Sequence, residues 1–133
     1  LHWPFALLVF DFKNRTVFYA GANNPLYYIS GKELIEVKAD KQPIGVFEDC
    51  KPFTSHSISF NEGDSFYLFS DGYADQFGGE KEKKLKYKTF KELLLSTHDK
   101  SIGEQANVLE NYFNAWKGKL EQVDDVCIIG VGL

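Results

Sequence analysis

The chain has 133 residues, with 15 basic and 19 acidic side chains and a net charge of −4. That is the length of one domain, and the charge balance offers nothing to a polyanion, so no nucleic-acid partner is expected. Hydrophobic residues at 44% and aromatic residues at 16% exclude a disordered chain, and the longest apolar run, Phe5–Phe10, is far too short to span a bilayer.

In chain order the first part reads as β-structure. Phe5–Phe10 is an apolar strand, Asp11-Phe12-Lys13-Asn14-Arg15 is a turn, and Thr16–Ala20 is a second strand that closes a hairpin. Gly21-Ala22-Asn23-Asn24-Pro25 is dense in turn residues. Leu26–Ile29 and Glu33–Val37 are the next strands, separated by Ser30-Gly31-Lys32. Lys41–Gly45 reads as a loop and Phe53–Phe60 as an extended segment with alternating character. Asn61–Asp64 is a tight turn, and Ser65–Phe69 is apolar enough to be buried on both faces. Gly78-Gly79, an ordinary flexible turn, opens a lysine-rich connector. Thr89–Thr97 and Ile102–Trp116 carry apolar residues at helical spacing, and Val126–Val131 is a closing buried strand. Strands, then two helices, then one strand predict an α+β fold, with helices packed on antiparallel sheet.

Carboxylates flank two of these strands. Ser70-Asp71-Gly72 follows Ser65–Phe69 directly. An aspartate at the end of a rigid strand can hold a cation there, and it is equally a common turn residue. Asp75 fits either a partner of such a site or a helix N-cap. Asp124-Asp125 precedes the last strand. Adjacent carboxylates repel by about 4 kcal/mol at 4 Å and an effective dielectric of 20, harmless at an exposed turn and useful around a cation. If the two strands share a sheet, Asp71 and Asp124 come to face each other, and hard oxygen donors suit Mg²⁺ or Mn²⁺. His2, His56 and His98 read as structural or exposed, and no Ser/His/Asp order or phosphate-binding glycine loop is present. Cys50 and Cys127 fit free thiols of a reducing compartment. With no Met and a start at Leu1, the chain is expected to be the C-terminal part of something longer.

Taken together, Ala20-Gly21-Ala22-Asn23-Asn24-Pro25-Leu26, Gln42-Pro43-Ile44-Gly45, Gly63-Asp64, Ser70-Asp71-Gly72-Tyr73-Ala74-Asp75 and Gln122-Val123-Asp124-Asp125-Val126 resemble, in this order, the SpoIIE/RsbU-type serine phosphatases of the metal-dependent PPM (type 2C) superfamily. The resemblance covers nearly the whole chain. It implies two stacked antiparallel sheets flanked by helices, and two Mn²⁺ or Mg²⁺ ions that activate water for attack on phosphoserine or phosphothreonine. By motif position it makes Asp71 and Asp124 metal ligands and sets the Gly72 backbone beside the metal. Asp75 and Asp125 stand one step outside the ligands, and no further catalytic residue is implied. The implied partner is a phosphorylated regulator of the anti-sigma-factor-antagonist type, and the implied setting is the cytoplasm, as the output domain of a sensor. Ala22 replaces a frequent His, and Cys127 stands where Thr is frequent. The family's Asp-x-x-Gly-His-Gly motif, whose Asp bridges both metals, has no counterpart before Phe5. Residues 1–133 therefore correspond to the C-terminal portion of the phosphatase domain. That absence leaves a pseudophosphatase or interaction module as the rival reading. Strands lacking their neighbours near Phe5–Phe10 also predict a homodimer of the fragment.

Overall fold

The computed structural model describes residues 5–42 and 51–133. Its elements are strands β1 (Phe5–Asp11), β2 (Thr16–Ala22), β3 (Leu26–Ser30), β4 (Glu33–Val37), β5 (His56–Ser59) and β6 (Ser65–Phe69), then helix α1 (Gly72–Asp75). A short hairpin, β7 (Phe77–Gly78) and β8 (Lys83–Lys84), leads to helices α2 (Tyr87–Thr97) and α3 (Ile102–Lys117) and to strand β9 (Ile128–Gly132). The expected α+β class is what the chain adopts. The strands form a three-stranded sheet, β1-β2-β5, and a four-stranded sheet, β4-β3-β6-β9, both antiparallel.

Alternation along the central strands explains the layering. Leu26 and Tyr28 on β3, with Phe66 and Leu68 on β6, face the first sheet and meet Val17, Tyr19, Leu8, Phe10 and Ile58. Their neighbours Tyr27, Ile29, Tyr67 and Phe69 face the helices, packing on Tyr73, Phe90, Leu94, Leu109 and Phe113. Thus β6 is buried on both faces, as its continuous apolar sequence predicts. The outward face of the first sheet carries Phe5, Leu7, Val9 and Phe18, each 40–49% exposed, with Val9 opposite Phe18 in register.

Helix α3 is preceded by Ser101, whose side chain accepts the Glu104 N–H at 3.2 Å, an N-cap that satisfies one of the helix's unpaired amides. No described helix is long and apolar enough to cross a membrane.

Several sequence expectations shift. Strand β2 runs two residues further than predicted, so Gly21 and Ala22 belong to it and the turn begins at Asn23, with φ 64°. Only His56–Ser59 of the Phe53–Phe60 segment pairs, opposite Thr16–Tyr19. Helix α2 starts at Tyr87 rather than Thr89. The closing strand is Ile128–Gly132 rather than Val126–Val131, and it is a sheet edge, half-covered, with Ile129 56% exposed. Gly78-Gly79 is no ordinary flexible turn: the Gly79 N–H donates to the Trp116 carbonyl at 3.0 Å. Gly79 has φ 72°, and a Cβ there would press on the Trp116 ring. Leu1–Pro4, including His2, and residues 43–50, including Cys50 and the Pro43-Ile44-Gly45 motif, lie outside the described residues.

Candidate metal centre

The ladder between β6 and β9 ends at Phe69 opposite Ile128. One more backbone bond follows, from the Ser70 N–H to the Cys127 carbonyl at 2.9 Å. The Ser70 hydroxyl then takes over the role of a ladder residue. It donates to the Asp125 carbonyl and accepts the Cys127 N–H, both at 2.9 Å. Gly72, buried, lies against the same loop, and a Cβ there would overlap the Asp125 carbonyl and press on Val126. Asp71 sits between these two residues. The fold therefore sets Asp71 and the Asp124-Asp125 pair at the same end of the β6·β9 ladder.

Asp71 occupies the N-cap position of α1, yet its side chain makes no cap bond. Its Oδ1 instead accepts the Tyr87 hydroxyl at 2.5 Å. Among the described residues no hydrogen bond reaches Oδ2 of Asp71, and the residue is exposed. Burial, and then the Asp71 carboxylate, push the Tyr87 phenol well above its ordinary range, so Tyr87 remains a neutral donor. Asp124 Oδ1 accepts the Asp125 N–H at 2.8 Å, and the side chains of this pair are exposed. The segment before them is held by Gln76, which is fully buried. Its amide donates to the Glu121 carbonyl at 2.8 Å and to the Phe77 carbonyl at 3.0 Å, and its Oε1 accepts the Val123 N–H at 3.4 Å.

Asp75 is the last residue of α1, not an N-cap, and it pairs with Lys84 at 3.5 Å. Both side chains are well exposed, where such a pair is worth little. His56 stacks on Tyr19, and His98 lies 3.3 Å from the Ser65 hydroxyl, so neither joins the carboxylates. Cys127 is an exposed free thiol. A cavity of about 500 Å³ lies between α3 and β9, lined by Tyr67, Gln105, Leu109, Phe113 and Ile128, and contains neither Asp71 nor Asp124.

In donor chemistry the carboxylates fit a hard divalent cation, which takes oxygen ligands. In number they fall short of a full ligand set: among the described residues no group of three or more His, Cys, Asp or Glu is arranged around one ion position. Tyr87, Ser70 and Gln76 were not legible as contributors. Nothing local marks a tyrosine after a run of lysines as a carboxylate's partner; only the fold brings it there.

The family model for stage II sporulation protein E (SpoIIE) matches residues 2–133. No curated protein matches the chain. Among solved structures, the SiaA PP2C domain of Pseudomonas aeruginosa superposes with a TM-score of 0.87 at 27% identity, over 96% of this chain and 50% of that one. The PP2C phosphatase domain of SpoIIE from Bacillus subtilis, with a fragment of its regulatory domain, gives 0.76 at 20% identity, over 98% of this chain and 37% of that one. A manganese-presoaked SpoIIE phosphatase domain gives 0.72 at 15% identity, over 98% and 56%. The chain thus spans about half the length of these structures, or less. With its two-sheet sandwich shared with PP2C-type phosphatase domains and a family match from His2 to Leu133, this chain belongs to the SpoIIE family.

Proposed function

We propose that this chain is the C-terminal portion of a metal-dependent protein serine/threonine phosphatase domain, with Asp71 and Asp124 as two arms of its Mn²⁺ or Mg²⁺ site. The observation that carries the reading is the clamp of Ser70 and Gly72 on Asp125, which sets the two aspartates of the SpoIIE-like motifs at one sheet end. Two such ions, when bound, supply Lewis-acid stabilisation of phosphoryl oxygens and an activated water. The chain's own residues set the geometry. Oδ2 of Asp71, on an exposed residue, has no protein donor among the described residues, Ser70 fixes the loop that ends at Asp125, and Gln76 fixes residues 121–123. Asp125 and the Gly72 backbone lie beside the ligands, and Asp75, at the far end of α1 and paired with Lys84, stands one step outside them. The remaining ligands come from the other half of the domain. That half also covers Phe5, Leu7, Val9 and Phe18; in the isolated fragment the same face drives a homodimer. The substrate is a phosphoserine or phosphothreonine on a cytoplasmic signalling regulator, of the anti-sigma-factor-antagonist type. The SpoIIE relative, described as a cell fate determinant, supports a regulatory setting.

A pseudophosphatase is the second reading, favoured by the incomplete ligand set among the described residues. Turnover of p-nitrophenyl phosphate by the full-length parent chain separates the two. The phosphatase reading predicts Mn²⁺-dependent turnover that falls at least about a hundredfold in Asp71→Asn and in Asp124→Asn. No turnover at any Mn²⁺ concentration, in a parent without an upstream Asp-x-x-Gly-His-Gly motif, would establish the pseudophosphatase.

A further inference from the structure

Helix α2 is fastened to α1 immediately before its first residue. The Leu85 N–H donates to the Gln76 carbonyl at 2.9 Å, and the Lys86 N–H donates to the Ala74 carbonyl at 2.8 Å. Leu85 and Phe90 are buried in the helix-side core, and the Tyr87 ring sits 6.2 Å from that of Phe69. Between these anchors Lys86 has φ 76° and ψ 156°, a backbone region that is almost confined to glycine and is costly for any other residue. The next residue, Tyr87, reaches Asp71, and its hydroxyl meets Oδ1 at 2.5 Å.

We propose that Tyr87 is a positioning residue for the ion site. By holding Oδ1 of Asp71 it fixes the plane of the carboxylate and leaves Oδ2 to the cation, as partners of metal ligands commonly do. This rests on the reading of Asp71 as a ligand. Its consequence is specific. The hydroxyl matters to ion affinity more than to the fold, and it matters only while Asp71 is present.

The test is a double-mutant cycle on the full-length parent chain, with Mn²⁺ alone titrated by calorimetry. Tyr87→Phe keeps the ring and its packing. It is expected to raise the Mn²⁺ dissociation constant about ten- to a hundredfold. The half-activating Mn²⁺ concentration for p-nitrophenyl phosphate turnover should rise in parallel, with kcat recovering at saturating Mn²⁺. The metal-free thermal transition should stay close to wild type. In an Asp71→Ala background, adding Tyr87→Phe should change Mn²⁺ affinity less than twofold, which a merely structural role for the ring would not produce. Tyr87→Phe with Mn²⁺ affinity within about twofold of wild type, while Asp71→Ala lowers it, would overturn the positioning role. An effect of Tyr87→Phe that persists undiminished without Asp71 would overturn it as well. Unchanged affinity in Asp71→Ala would instead remove Asp71 from the ligand set, and the inference with it.

Discussion

Gln76 ties α1 to the segment that leads into Asp124, and its removal has a consequence that can be sized. The side chain is fully buried and makes two short hydrogen bonds, to Glu121 and Phe77, and a long one from Val123. Glu121 and Phe77 are exposed residues, so water can reach their carbonyls once Gln76 is gone. Gln76→Ala therefore loses the net value of two good bonds, about 1 kcal/mol each. The removed methylene and the space it leaves add about 1 kcal/mol. The sum, about 3 kcal/mol, corresponds to a fall of roughly 10 °C in the melting temperature of a domain of this kind. Thermal unfolding of the full-length chain reads the global cost, and hydrogen exchange at the Val123 amide reads the local one. That amide should lose protection well beyond the global change, because the acceptor it faces is deleted. A loss below about 1 kcal/mol with Val123 still protected would refute the role assigned to Gln76.

Two further outcomes follow from the same geometry. Gly72→Ala should cost about 2 kcal/mol or more, because the new methyl must displace the Asp125 carbonyl or Val126; denaturant unfolding checks it, and Mn²⁺ affinity should fall with it. The Asn14 side chain and N–H hold the Asp11 carboxyl below its usual 3.8. A carboxyl depressed in the folded state contributes stability above its unfolded pKa and loses it as the pH falls through the folded value. The melting-temperature difference between wild type and Asp11→Ala should therefore be present at neutral pH and disappear in acid.

Much of the architecture was written in local pattern. Ser65–Phe69 alternates between two apolar faces, so its place between the first sheet and the helices could be read from five residues. The α3 boundary was set by Ser101 and Glu104, whose contact is local. The errors arose where long-range pairing decides. Val126 and Cys127 look like strand, but the Ser70 hydroxyl occupies the bonds that would have extended the ladder. Gly78-Gly79 looks like a linker until Trp116, many residues later, closes on it. The candidate site shows the same division. Asp71 and Asp124 were marked by their strands, whereas Tyr87 reaches Asp71 only because α2 returns to the end of β6.

The central claim, that Asp71 and Asp124 serve one cation site, is tested most directly by anomalous diffraction at the manganese edge from Mn²⁺-soaked crystals of the full-length parent chain. The account predicts a peak within direct coordination distance, about 2 Å, of a carboxylate oxygen of Asp71. The same peak, or a second ion beside it bridged through shared ligands, should contact Asp124, and both contacts should be lost in Asp71→Asn. Manganese bound elsewhere, with Asp71 and Asp124 facing solvent and no peak between them, would contradict it.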